Sequence, residues 1–173
     1  ALSSAASDVY KRQTGLLNGS AFEGKAQWIT HAPDKASPVS PVLYKDFAVQ
    51  GNVKKARLYA TALGVYEAEI NGEPVDDTYF HPGWTNYRKR LQYQTYAVTL
   101  REGENRLALT LANGWYKGKL GFMPQPNHYG DTTAALAALC ITYEDGHEEW
   151  IGTDESWFCT TGAIPVSYTH LTL

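Results

Sequence analysis

Val65-Tyr66-Glu67-Ala68-Glu69-Ile70-Asn71-Gly72 is the stretch that decides the fold. Tyr66, Ala68 and Ile70 alternate with Glu67 and Glu69, the period-2 pattern of a half-buried strand. Asn71-Gly72 follows at once, and both residues tolerate the positive φ that a two-residue hairpin turn demands. Outward from this hairpin the same grammar repeats. Upstream, Tyr44 to Val49 is short and apolar-rich, and Ala56 to Thr61 sets Ala56, Leu58 and Ala60 against Arg57, Tyr59 and Thr61. Downstream, Leu91 to Leu100 alternates Tyr93 and Thr95 with Tyr96 and Val98, and Arg106 to Ala112 places Leu107, Leu109 and Leu111 on one face. Ala134 to Tyr143 is apolar on both faces and has helical propensity, but its ending before Asp145-Gly146 favours a strand and turn. His147 to Ile151 pairs back, and Trp157 to Thr160 closes the series. Short strands punctuated by turn signals, with no long amphipathic helix, predict an all-β, jelly-roll-like antiparallel β-sandwich. Tyr66, Ala68, Ile70, Leu107, Leu109, Leu111, Leu139 and Ile141 should point inward.

The hydrophobic share of 43% and charged share of 19% are those of an ordinary globular domain. A net charge of −3 gives no reason to expect nucleic acid or an anionic membrane as partner. No apolar run approaches the ~20 residues needed to cross a bilayer. Cys140 and Cys159 have no zinc-like spacing and are expected as buried free thiols in strands, a disulfide in an oxidising compartment being the alternative.

The ends read differently. Ser3 to Gln13 can be written in codons whose reverse complement, read from its third base, translates as Val-Ser-Tyr-Thr-His-Leu-Thr-Leu, the sequence of Val166 to Leu173. One DNA string thus accounts for both ends and resembles a sequencing-library adaptor, so 1–13 and 166–173 are expected to lie outside the native fold. Thr14 to Ala26 is small and polar, and Pro33 to Pro41 reads as loop, incompatible with a central strand. Between them, Gln27-Trp28-Ile29 is a short apolar anchor. The expected organisation is linker and lead-in over 14–41 and sandwich over 42–165.

A further set of stretches carries a family resemblance. Ala56-Arg57-Leu58-Tyr59, Ala62-Leu63-Gly64-Val65-Tyr66-Glu67 and Ile70-Asn71-Gly72 come first. His81-Pro82-Gly83-Trp84-Thr85-Asn86-Tyr87 and Gln92-Tyr93-Gln94-Thr95-Tyr96 follow. Asn113-Gly114-Trp115-Tyr116-Lys117-Gly118, Tyr143-Glu144-Asp145-Gly146 and Thr153-Asp154-Glu155-Ser156-Trp157 complete the series. In this order and spacing they resemble the N-terminal β-domain of bacterial α-L-rhamnosidases whose catalytic domain is an (α/α) barrel. Ala97 departs from the pattern, which usually has Asp there. The resemblance implies a galactose-binding-like sandwich, a catalytic barrel outside this chain, and further β-domains of a parent chain as partners. It also implies a non-catalytic role in orienting or binding rhamnose-containing glycans. Two alternatives are a purely structural domain packed on the barrel and a free-standing lectin.

The chemistry of the residues bears on that choice. Glycoside hydrolysis needs two carboxyl groups flanking the bond, whereas Glu67, Glu69, Glu148 and Glu149 fall on strand faces or turns. No Ser/His/Asp arrangement is visible: Ser156 lacks the nucleophile elbow, and His31, His81, His128 and His147 have no identifiable acid–base partner. A sugar site is the better expectation, since aromatic plates cover a sugar's apolar face while amides and carboxylates bind its hydroxyls. Its candidate residues are Trp84, Asn86 and Tyr87 in the loop Val75–Tyr87, and Asn113, Trp115, Tyr116, Lys119 and Asn127 in the loop Asn113–Tyr129. Related modules bind rhamnose through calcium, a hard cation that takes oxygen ligands, so Asp76 and Asp77 are the candidate metal ligands. The plainer reading is that both Asp cap a turn and that Trp84 and Trp115 plug the sandwich edge.

Overall fold

The computed structural model describes residues 21–31, 39–121 and 125–165. The 1–13 and 166–173 ends lie outside the described residues. Nine strands and one turn of helix form the described chain: β1 Val39–Val49, β2 Val53–Leu63, β3 Val65–Ile70, β4 Glu73–Pro74, β5 Gln94–Val98, β6 Gly103–Ala112, α1 Gly114–Lys117, β7 Ala134–Tyr143, β8 Glu148–Gly152 and β9 Phe158–Pro165. They build a five-stranded sheet, β4-β3-β6-β1-β9, packed on a four-stranded sheet, β5-β2-β7-β8, with the named strand pairs antiparallel. The all-β sandwich is the observed fold.

The Asn71-Gly72 turn forms as its residue types require, with φ of 56° and 82° and Ile70 paired to Glu73. Buried Asn105 anchors the entry to β6: its amide donates to the carbonyls of Arg101 and Gly103, and its Oδ1 accepts from Arg101 N and Asn71 Nδ2. Every inward residue expected from the alternation is buried in the main core, which lies between the sheets. The chain passes from one sheet to the other through a single residue, Gly64, between β2 and β3. Its φ is +133°, and a Cβ there would lie 2.5 Å from the Ala112 carbonyl oxygen, so glycine is required twice over.

β7 explains its doubly apolar sequence. Ala135, Ala137, Leu139, Ile141 and Tyr143 face the main core, while Leu136, Ala138 and Cys140 face a second, smaller core. That second core is closed by Ala21, Phe22, Ala26, Tyr59 and Trp150. Within the stretch expected as linker and lead-in, residues 21–29 thus pack against the sandwich. Ala21 and Phe22 are buried because the outer face of β7 needs a cover, and the following residues are strapped down. Gln27 N donates to the Thr153 carbonyl at 2.7 Å, and Ile29 exchanges backbone bonds with Ala135 at 3.0 and 2.9 Å. Trp28 is 44% exposed, so Ile29 and the backbone are the anchor.

Three expectations change. β1 begins at Val39 and runs between β6 and β9, with Pro41 opposite Thr161. A register shift between Val39 and Pro41 makes this possible, since a bulge is where a central strand tolerates a residue without an N–H donor. Cys140 is buried as expected, but Cys159 is exposed because β9 is an edge strand. The strand expected over Leu91 to Leu100 is the shorter β5.

Candidate functional site

The loop from Val75 leaves the β3–β4 hairpin and returns along the free edge of β3. Tyr66 N donates to the His81 carbonyl at 2.8 Å, an isolated antiparallel bridge. Below it, Asp76 Oδ2 accepts from Thr78 Oγ1 at 2.5 Å and from His81 Nε2 at 2.9 Å, and Thr78 Oγ1 lies 2.6 Å from the same nitrogen. The His81 ring meets Tyr66 and Tyr96, whose hydroxyls are 3.0 Å apart. Burial holds the Tyr66 hydroxyl well above the usual phenol range and pushes Tyr96 up to about 12. Pro82, after a cis peptide bond, is buried, and its carbonyl accepts from Gln94 Nε2.

His81 does have an acid partner, contrary to the sequence-based expectation, and so does His147, 3.1 Å from Asp145. The His81 cluster is nevertheless no catalytic triad. A triad needs the hydroxyl and the carboxylate on opposite ring nitrogens, whereas Thr78 and Asp76 share Nε2. It is a clasp that shapes the loop. Its signal in the sequence was the Asp-x-Thr-x-x-His spacing, which only the fold brings together.

The second loop opens with α1, held by Lys117 N donating to the Asn113 carbonyl, and folds back as Asn127 N donates to the Lys117 carbonyl at 2.8 Å and Tyr129 N to the Tyr116 carbonyl. The two loops meet. Tyr87 packs on Tyr116 at 5.2 Å and on Tyr129 at 5.1 Å between ring centroids, and Phe80 packs edgewise on Trp115 at 6.0 Å. Arg88 donates to the His128 carbonyl. Burial, then the Tyr129 and Tyr116 hydroxyls, push Tyr87 up to about 12.

Of the residues singled out from the sequence, Tyr87 and Tyr116 thus lie in one cluster with Tyr129, and Trp115 pairs with Phe80; neither Tyr129 nor Phe80 was among the candidate site residues. Trp84 is 56% exposed on the first loop. Asn86 is spent on its own turn, with Oδ1 accepting from Arg88 N. Asn113 does not cap α1 with its side chain, and its Oδ1 is buried without a hydrogen-bond partner. Lys119 is exposed, and Asn127 sits at a turn with φ +67°. Asp76 is engaged in the clasp and Asp77 is exposed. Both line a cleft of about 300 Å³ together with Glu67 and Glu69, but among the described residues no three His, Cys, Asp or Glu side chains converge on one point. The two Asp would supply calcium with carboxylate oxygens only in part. The rest of its six to eight ligands would have to be backbone, hydroxyl or water oxygens.

A two-sheet antiparallel sandwich crowned by loops at one end is a lectin-like architecture. The apo lectin of Pleurotus ostreatus superposes with a TM-score of 0.53 over 79% of this chain and 35% of its own, at 20% identity, a likeness of fold alone. The chain belongs to the α-L-rhamnosidase N-terminal domain family, whose model matches residues 51–170. An α-L-rhamnosidase of Streptomyces avermitilis is 45% identical over 82% of this chain, and one of Formosa agariphila 38% identical over 93%. The chain spans 14% and 18% of those two relatives. The crystal structure of the Streptomyces avermitilis enzyme complexed with L-rhamnose matches with a TM-score of 0.69, at 46% identity over 72% of this chain and 12% of its own. That of the Aspergillus terreus enzyme gives 0.70, at 39% identity over 80% and 16%.

Proposed function

We propose that this chain is a non-catalytic accessory domain of an α-L-rhamnosidase, binding or orienting rhamnose-containing glycan for a catalytic domain elsewhere in the parent chain. The observation that carries the reading is the meeting of the two loops, where Tyr87 packs on Tyr116 and Phe80 on Trp115, with Trp84 exposed on the first loop. Such a surface suits a deoxy sugar, whose methyl and ring face are apolar while its hydroxyls need fixed partners. A glycosidase acid must hold a proton near neutrality. The carboxyls with perturbed acidity move the other way: Arg106 lowers Asp46, the His147 backbone N–H lowers Asp145, and the Ser156 hydroxyl lowers Asp154.

Calcium belongs to this proposal as an auxiliary at Asp76 and Asp77, where it would supply a hard cation for sugar hydroxyls. Calorimetric titration with L-rhamnose, with added calcium and with chelator, tests both parts. Binding heat that Trp84→Ala lowers is the expected result, and a comparable fall in chelator or in the Asp76→Ala/Asp77→Ala double variant is expected for the calcium part. No heat under any condition sinks the loop site and leaves the structural domain as the better account. That second reading has its own support in Phe158, 60% exposed and stacked on Tyr44 on the outer face of the five-stranded sheet.

A further inference from the structure

A cleft of about 230 Å³ opens where the outer face of the five-stranded sheet meets the first loop. Its floor is Ser40 of β1, Thr110 of β6, and Val65 and Glu67 of β3; its wall is Tyr79 and Phe80. The wall stands because the Tyr66–His81 bridge ties the loop to the free edge of β3. Tyr79 is 72% and Phe80 53% exposed, and Phe80 holds a φ of +65°, a conformation that bulky residues rarely adopt. The floor carries an independent sign of a missing partner: Ser40 is completely buried, and its Oγ has no hydrogen-bond partner. Buried hydroxyls in folded proteins are almost always paired, so this one calls for an explanation.

We infer that this cleft is a second carbohydrate subsite, on the sheet face and separate from the loop-tip residues, that takes one neutral pyranose ring. Tyr79 and Phe80 cover the ring's apolar face, and its hydroxyls meet Ser40 Oγ, Thr110 Oγ1 and the Glu67 carboxylate. Glu67 accepts from sugar hydroxyls and repels an anionic sugar, so uronic acids are excluded. Phe80 also packs on Trp115, which sets the subsite beside the loop cluster and lets two adjacent sugars of one glycan occupy both. The inference rests on the carbohydrate reading above.

The test is a backbone-amide NMR titration of the 173-residue chain with methyl α-L-rhamnopyranoside as probe and glucuronate as the charged control. The rhamnoside should shift the amides of Ser40, Glu67 and Thr110, and glucuronate should not. Tyr79→Ala and Thr110→Val should each weaken that response about tenfold, or ~1.4 kcal/mol, at near wild-type thermal midpoints. Shifts confined to the 84–87 loop, no shifts at all, or wild-type affinity in both floor and wall variants would overturn the subsite. Shifts at Ser40 and Thr110 without any at 84–87 would instead sink the loop-tip reading and keep this one.

Discussion

Gly152 shows how one missing atom can hold a segment in place. A Cβ there would lie 1.7 Å from the Lys25 carbonyl oxygen and 2.7 Å from its carbon, both backbone atoms. The close approach lets Lys25 set its ammonium 3.4 Å above the Trp150 ring and lets Gln27 reach Thr153, whose hydroxyl donates to the Gln27 carbonyl at 2.7 Å. Gly152→Ala should therefore push the lead-in off β8, with a stability loss of ~1–3 kcal/mol typical of overpacking. Denaturation with urea measures that loss, Trp150 fluorescence should change, and trypsin should cut faster after Lys25. An unchanged trypsin rate would show that the lead-in is held without this contact. Nothing local announces the role of Gly152 in the sequence, where Ile151-Gly152-Thr153 reads as a strand ending in a turn. Asn71-Gly72 lies at the opposite extreme, because its partner strands are adjacent in sequence and the turn chemistry is local.

The same contrast holds for whole elements. β3, β6 and β7 were legible because each carries its partition between core and surface in its own alternation, or in its lack of any. β1 was only partly legible. Its start is hidden by Pro41, which argues against a central strand unless a bulge absorbs it, and a bulge leaves no mark in a single sequence. The lead-in was illegible for another reason: Ala21 and Phe22 are buried only because the second face of β7 lies across from them. Leu109 and Phe22 separate the two cores experimentally. Leu109 is 1% exposed at the centre of β6, paired with Leu43 and Ala68, so Leu109→Ala should cost ~2–5 kcal/mol. Phe22→Ala should cost less in global unfolding, because its small core closes one flank of the sandwich only, and should instead raise amide exchange around Gln27 and Ile29. Equal global losses would mean that the lead-in is as central to the fold as β6.

At the scale of the molecule the two outer faces differ. The lead-in covers that of the four-stranded sheet, while the five-stranded sheet presents Tyr44 stacked on Phe158, with Arg106 over Tyr44 and bidentate to Asp46. The site was legible in part: aromatics and amides marked the two loops, but that the loops meet, and that Asp76 turns to His81, follow from the sandwich bringing distant strand ends together. Among the described residues, the contacts between those loops are aromatic or run from Arg88 to the second loop, and none brings two carboxyl groups together. Hydrolysis requires a carboxylic acid on one side of the glycosidic oxygen and a carboxylate about 5–9.5 Å away on the other side of the bond. Near the loops, the Asp76 carboxylate is engaged by Thr78 and His81, and Asp77 stands in solvent. The chain should therefore show no turnover of an aryl α-L-rhamnoside, measured by release of the aryl alcohol at protein concentrations where the sugar-binding assay is run. Adding calcium should not change this, because a cation at Asp76 and Asp77 would withdraw the very carboxylates that acid–base catalysis needs. The decisive comparison is a Glu67→Gln, Asp76→Asn and Asp77→Asn set. If purified protein turned over the substrate and any one of these abolished it, the accessory-domain reading would fall, and the acidic cleft beside β3 would be an active site.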